Sequence, residues 1–123
     1  MERQTQQRDA IWRAIERAAR PLGPREILRL ARSDVPKLGI ATVYRNIRSL
    51  VSEGRLHVVE LAGSPDRYEI AGKQHHHHFL CRSCDGVFEV ETCSGDFDAI
   101  TPRGFQLETH EITLYGLCSA CAA

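Results

Sequence analysis

Two cysteine pairs with one spacing, Cys81-Arg82-Ser83-Cys84 and Cys118-Ser119-Ala120-Cys121, stand 33 residues apart in this 123-residue chain. One such pair could be a redox dithiol. Two are what a tetrahedral zinc ion takes as ligands, and a closed set of four thiolates leaves no coordination position open for chemistry. Cys81, Cys84, Cys118 and Cys121 therefore read as a structural zinc site. Four consecutive histidines, His75 to His78, lead straight into the first pair. The run is internal, whereas an affinity tag stands at a terminus. With the cysteine site already full, the histidines point to a second metal. Successive side chains of an extended segment face opposite ways. His76 and His78 would thus serve one site, and His75 and His77 another. Imidazole suits zinc, iron, nickel or copper, so the ligand type does not name the ion.

A chain of this length makes one domain or two very small ones, each in need of a metal or a partner for stability. No apolar run approaches the length of a membrane span. The opening Met-Glu-Arg-Gln-Thr-Gln-Gln-Arg has no apolar core of a signal peptide, so a cytoplasmic location is expected, with cysteines metal-bound or reduced. The net charge is zero, but its distribution is uneven. Residues 1–71 carry 13 Lys and Arg against 9 Asp and Glu, a balance of +4, while residues 72–123 carry 3 against 7, a balance of −4. A basic half joined to an acidic, ligand-rich half suggests a polyanion-binding module attached to a sensor module.

In the basic half, Thr5 is placed to cap a first helix with Ile11, Ile15 and Ala18/Ala19 on its inner face and Trp12 beside them. Pro21-Leu22-Gly23-Pro24 ends it, and Pro24 opens a second helix that buries Ile27, Leu30 and Ala31. After Ser33-Asp34-Val35-Pro36, a third helix is predicted from Ile40 to Glu53, with Gly54 as its stop. Val43, Ile47, Leu50 and Val51 share one face of that helix. Thr42, Arg45, Asn46 and Ser49 cluster opposite, with Tyr44 and Arg48 at the border. Such side chains carry the donors and acceptors that read base edges and phosphates in a major groove, although a plain solvated face has a similar composition. Residues 55–61, the turn 62–66 and residues 67–70 read as strand, turn, strand. Three helices followed by a hairpin make a winged helix-turn-helix, with the third helix as the reader.

In the acidic half, Cys84-Asp85-Gly86 is a turn and Val87 to Glu91 a strand with Glu89 and Glu91 on one side. Ser94 is placed to cap a short helix through Ile100, and Gly104–Glu108 and Ile112–Tyr115 read as further strands. So small a sheet would be unstable alone; zinc supplies part of the stabilisation and a symmetric partner the rest, which makes a homodimer the expectation. The fold class is thus α+β: a winged helix-turn-helix domain, 1–71, then a small α/β dimerisation domain, 72–123, with a structural zinc. Cys93 reads as a partly buried free thiol, with a sensor-metal ligand as the alternative. A small zinc enzyme is disfavoured because there is no helical HExxH and no evident nucleophile or base. A DNA-binding protein whose metals are all structural is the nearer alternative.

Taken together, Ile40-Ala41-Thr42-Val43-Tyr44-Arg45-Asn46, the histidine run entering Cys81-x-x-Cys84, and His110-x-x-x-Leu114-Tyr115-Gly116-x-Cys118-x-x-Cys121 resemble the ferric uptake regulator family of metal-dependent bacterial repressors. The resemblance covers nearly the whole chain. It implies a dimer that binds a palindromic operator in double-stranded DNA once a sensor metal is bound. Tyr44 and Arg45, with Thr42, Asn46 and Arg48 of the same helix, would contact DNA, and Arg8 a phosphate. A hinge sensor site would draw on Glu69, His76, His78 and Glu89. A second site, in the dimerisation domain, would draw on His75, His77, Asp96 and His110, with Glu91 and Asp98 as neighbours able to replace Asp96. Zinc-sensing relatives commonly have a cysteine in place of Glu69, and peroxide sensors have aspartates in place of Glu69 and Glu89. The His75/His77 pair, by contrast, is closer to the zinc sensors. Besides structural Zn²⁺, the second divalent ion is therefore left open between Fe²⁺, Zn²⁺ and Mn²⁺.

Overall fold

Helix α1, Glu2–Ala18, turns one continuous stripe inward, with Ala10, Ile11, Ala14 and Ile15 buried. The structure, a computed structural model, describes residues 2–123 except Ser94, and not the side chain of Glu2. The helix begins before Thr5, which lies inside it rather than capping it. The residues preceding Thr5 are good helix formers, so nothing stops the helix there. Ala19 leaves the helix at a φ of 54° and is exposed rather than inward-facing.

Helix α2, Pro24–Ala31, starts at a proline whose missing N–H costs nothing at that position. The Glu26 carboxylate reaches back to accept the Gly23 N–H at 3.1 Å and also holds Arg20 at 3.1 Å. Ile27 and Ala31 are buried, but Leu30 is 37% exposed and does not join the core as expected. Helix α3, Ile40–Ser52, buries Val43, Ile47 and Leu50. It ends where Gly54, at a φ of +75°, lets its own N–H reach the Val51 carbonyl and that of Arg55 reach the Leu50 carbonyl. That paired closure satisfies carbonyls a helix end otherwise leaves open.

Strands β1, Leu56–Leu61, and β2, Ser64–Ile70, pair antiparallel, joined by Ala62 and Gly63. The loop is shorter than the predicted turn because Leu61 already pairs with Ser64, and Gly63 at a φ of +72° supplies the reversal. Leu22 exchanges two backbone hydrogen bonds with Tyr68, at 2.9 and 3.0 Å, so the link between α1 and α2 adds a short bridge beside the hairpin. Three helices and a wing close around Ile11, Ile15, Leu22, Ile27, Leu38 and Leu50, all fully buried. The unit with this core ends at Lys73, and a second unit begins at Gln74.

The second unit is built on β3, His77–Cys81. It pairs antiparallel with β4, Val87–Val90, and parallel with β5, Thr113–Gly116, giving the order β4-β3-β5. A short helix α4, Ser119–Ala122, carries the second cysteine pair and was not predicted. The predicted strand over 104–108 is not formed; that segment is irregular, with Phe105 71% and Leu107 40% exposed. The central strand β3 already has a neighbour on each side, so no edge of it is left for this segment. The predicted cap at Ser94 lies outside the described residues, and 97–100 form turns rather than a helix. Among the described residues, no helix is long and apolar enough to cross a membrane.

Candidate metal centres and nucleic-acid face

The tight turn after β3, with Asp85 at a φ of 62°, and the α4 turn bring Cys81, Cys84, Cys118 and Cys121 together, their sulfurs all within 4.8 Å of one another. The Cys84 and Cys118 sulfurs are 3.9 Å apart. Four sulfurs about 2.3 Å from one zinc ion would stand about 3.8 Å apart in a tetrahedron, so the set fits that ion in donor type and in spacing. Cys81 is fully buried, and its sulfur accepts the backbone N–H of Cys84 at 3.5 Å and of Cys118 at 3.3 Å. These bonds, that from Cys84 foremost, lower the Cys81 thiol to about 6, so it is a thiolate at neutral pH. Cys121 moves the other way, to about 11: a hydrogen bond with Ser83 lowers it, but the sulfurs of Cys118 and Cys81, burial and the sulfur of Cys84 together outweigh that. Four thiolates this close repel one another, and a dication is what offsets the repulsion.

A second set of donors gathers beside β3. The Nε2 atoms of His75 and His77 are 3.1 Å apart, as are those of His75 and His110. The Cys93 sulfur lies 3.2 Å from His110 Nε2. His77 is buried, with the Ile112 N–H 3.3 Å from its Nδ1. Burial, then the neighbouring imidazoles, His75 and His110 first, lower its pKa, which keeps the ring neutral as a metal ligand requires. Phe97 stacks on the His110 ring, centroids 4.0 Å apart and 22° between planes, and fixes its orientation. Among the described residues the gathered set is His75, His77, Cys93 and His110. Asp96, assigned there by resemblance, stands outside it; one of its carboxylate oxygens accepts the Ala99 N–H at 3.3 Å instead. Glu91 and Asp98 stand outside it as well. Cys93 was read as a partly buried thiol and is exposed. No sequence signal marked it: the pairing of Val90 with His77 sets where the chain leaves β4, three residues before Cys93.

His76 and His78 form a separate pair, ring centroids 4.8 Å apart. Nδ1 of His76 donates to the Gln74 carbonyl at 2.8 Å, so Nε2 is the nitrogen that would ligate, a common arrangement for a metal-binding histidine. Glu89 is the register partner of His78 across the β3–β4 ladder, so both side chains share one face of the sheet. Glu69 is buried on β2, in the other unit.

On α3, Tyr44, Arg45, Arg48 and Ser49 are exposed, with Thr42 and Asn46 half-buried. The Arg45 guanidinium donates to the Thr42 hydroxyl at 3.0 Å, and the Asn46 amide to the Thr42 carbonyl at 2.9 Å. With Gln4, Thr5, Gln7 and Arg8 of α1, Thr42, Arg45, Asn46 and Ser49 line a polar hollow of about 390 Å³. Arg8 is not free there: it forms a two-pronged ion pair with Glu53, and its hydrogen bond holds the Glu53 carboxyl below its ordinary value.

The chain matches the Ferric uptake regulator family over residues 2–115. It is 31% identical over 124 residues to the transcriptional regulator FurA of Mycobacterium tuberculosis, a match that covers 98% of this chain and 83% of that protein. To the ferric uptake regulation protein of Bacillus subtilis it is 30% identical over 124 residues, covering 95% and 83%. Its fold is similar to the Helicobacter pylori ferric uptake regulator, whose structure reveals three functional metal binding sites, at a TM-score of 0.72 and 27% identity over 95% of this chain and 80% of that one. It also resembles FurB of M. tuberculosis, a zinc uptake regulator, at a TM-score of 0.54 and 30% identity over 97% and 95%. The chain belongs to the ferric uptake regulator family.

Proposed function

We propose that this chain is a metal-responsive repressor that binds a palindromic operator in double-stranded DNA as a homodimer, when a divalent ion occupies a site outside the four cysteines. The observation that carries this reading is the sorting of the ligands into unlike sets. Four thiolates make a closed set suited to a permanent structural Zn²⁺. The imidazoles stand apart from it, with His75 exposed and His76 and His78 half-buried, where Fe²⁺, Zn²⁺ or Mn²⁺ could exchange with solvent.

Within that reading, residues 1–71 bind DNA and residues 72–123 dimerise and hold metal. Thr42, Tyr44, Arg45, Asn46 and Arg48 would meet the major groove, the arginines being the side chains best suited to guanine edges or phosphates. Arg8 would exchange its bond with Glu53 for a phosphate. Dimerisation is supported by exposed apolar side chains of the second unit, among them Ile100, Phe105, Leu107 and Leu114, which a second copy would cover. His76 and His78, with Glu89, would hold the regulatory ion. With Glu69 of the DNA-binding unit as a further ligand, that ion would restrain the spacing of the two reading helices, which must match half-sites about one helical turn apart. His75, His77 and His110 would hold a second ion; Asp96, the carboxylate that the resemblance places there, stands outside the gathered set.

The test is DNA affinity against metal. A duplex enriched by the metal-loaded protein from a random pool is titrated with protein that keeps one zinc per chain but has been stripped of weaker metal by mild chelation. Adding Fe²⁺, Zn²⁺ or Mn²⁺ is expected to raise affinity by a factor corresponding to about 1–3 kcal/mol. Equal affinity with and without added ion would make the protein a constitutive DNA binder with structural metals only.

A further inference from the structure

The set around His110 contains a sulfur, and that changes which ion it suits. We propose that Cys93 is a metal ligand that completes a three-histidine, one-thiolate site and makes it select Zn²⁺ over Mn²⁺ and Fe²⁺. This rests on the reading above that His75, His77 and His110 bind a metal, and it adds the ion. The Cys93 sulfur is 3.2 Å from His110 Nε2, which is itself 3.1 Å from His75 Nε2. One ion about 2.1 Å from each nitrogen and about 2.3 Å from the sulfur spans donors so placed. All four donor atoms fall within 4.8 Å of one another.

Chemistry then separates the ions. Mn²⁺ favours carboxylate, carbonyl and water oxygens, and Fe²⁺ is commonly held by imidazole with carboxylate. A thiolate among imidazoles suits Zn²⁺, which takes such mixed sets in tetrahedral form. The carboxylates nearby do not offset this: Asp96 is turned to the Ala99 amide, and Glu91 and Asp98 stand outside the set. His75 and His77 stand two residues apart at the start of β3, whereas His110 comes from the segment before β5 and Cys93 from the segment after β4. The convergence of His110 and Cys93 on that pair is a product of the fold rather than of neighbouring sequence.

The test uses the full-length chain with zinc retained at the four-cysteine set. Parent, Cys93→Ala and His75→Ala/His77→Ala proteins are titrated with Zn²⁺ and Mn²⁺ against competing chelators, and separately with Co²⁺ while the near-ultraviolet sulfur-to-cobalt charge-transfer band is followed. Cys93→Ala is expected to weaken the second zinc by about tenfold or more and to change Mn²⁺ affinity far less, since even outer partners of metal ligands are worth 10–100-fold in affinity. It should also lose the increment of the charge-transfer band that belongs to the second cobalt. The double histidine variant should lose the second ion altogether. If the histidine variant loses the ion while Cys93→Ala keeps both zinc affinity and band, Cys93 is no ligand and the proposal is overturned. An equal loss of Zn²⁺ and Mn²⁺ affinity in Cys93→Ala overturns the selectivity. If the histidine variant binds like the parent, the site itself is wrong, and the proposal falls with it.

Discussion

The two units of this chain are stabilised by different means. The N-terminal unit buries Ile11, Ile15, Leu22, Ile27, Leu38 and Leu50 completely, each worth about 1.5–3 kcal/mol of transfer free energy. Among the described residues of the C-terminal unit, the buried side chains are Leu80, Val87, Cys81 and His77, two of which are candidate metal ligands. That is too little apolar burial to order some fifty residues. A structural zinc contributes about 10–16 kcal/mol in small thiolate-bound peptides and can make up the difference. One unit is thus an ordinary hydrophobic fold that can present a rigid helix to DNA. The other has little core of its own and gathers side chains that could hold metal ions.

The largest effect should come from Cys81→Ser. It removes a fully buried ligand, so the second unit is expected to lose its zinc and its order, while helical circular dichroism from α1–α3 largely persists. Zinc content and far-ultraviolet spectra of the variant check this, and a folded, fully zinc-loaded variant would remove the contrast between the units. The converse substitution is Ile11→Ala, which leaves a cavity in the N-terminal core. It should cost that unit about 2–5 kcal/mol in denaturant melts with one tightly held zinc per chain retained. Loss of zinc in this variant would mean that the units do not melt separately.

Smaller effects should arise on the reading face. Arg45→Ala is expected to weaken operator binding by about 1–3 kcal/mol without altering metal content or melting, as measured by titration against the enriched duplex. Smallest should be Glu53→Gln, which releases Arg8 from its ion pair. DNA binding should then strengthen slightly for any sequence, because Arg8 no longer has to leave the carboxylate to meet its phosphate, while the dependence of log K on log salt stays close to the parent's. Affinity no higher than the parent's would mean that Arg8 meets no phosphate.

The same contrast explains how much could be read from the sequence. The stripes of α1 and α3, the Pro24 start and the Gly54 stop were legible because local periodicity and backbone rules decide them. The four-cysteine set was legible because its spacing is fixed by the ion it fits. The odd and even histidines were separable because strand geometry alternates. Where the C-terminal unit departs from expectation, the deciding contacts are long-range. Phe105 and Leu107 alternate as a strand would, yet β3 has no free edge to receive them. Cys93 and Asp96 are three residues apart, and only the path of the chain after β4 brings the sulfur, not the carboxylate, to His110. Helix α4 has too few residues for periodicity to reveal it.

The central claim, that a metal held by His76 and His78 sets DNA affinity, is tested most directly by the double substitution His76→Ala/His78→Ala. Operator binding of the variant and the parent is measured with and without added Fe²⁺, Zn²⁺ or Mn²⁺, alongside zinc content and oligomeric state. The expected result is a dimer that keeps one zinc per chain and binds DNA weakly, with no response to added metal, while His75→Ala/His77→Ala retains most of the response. A metal response that survives the first pair of substitutions and disappears with the second would contradict the claim and move the switch to the site that contains His110.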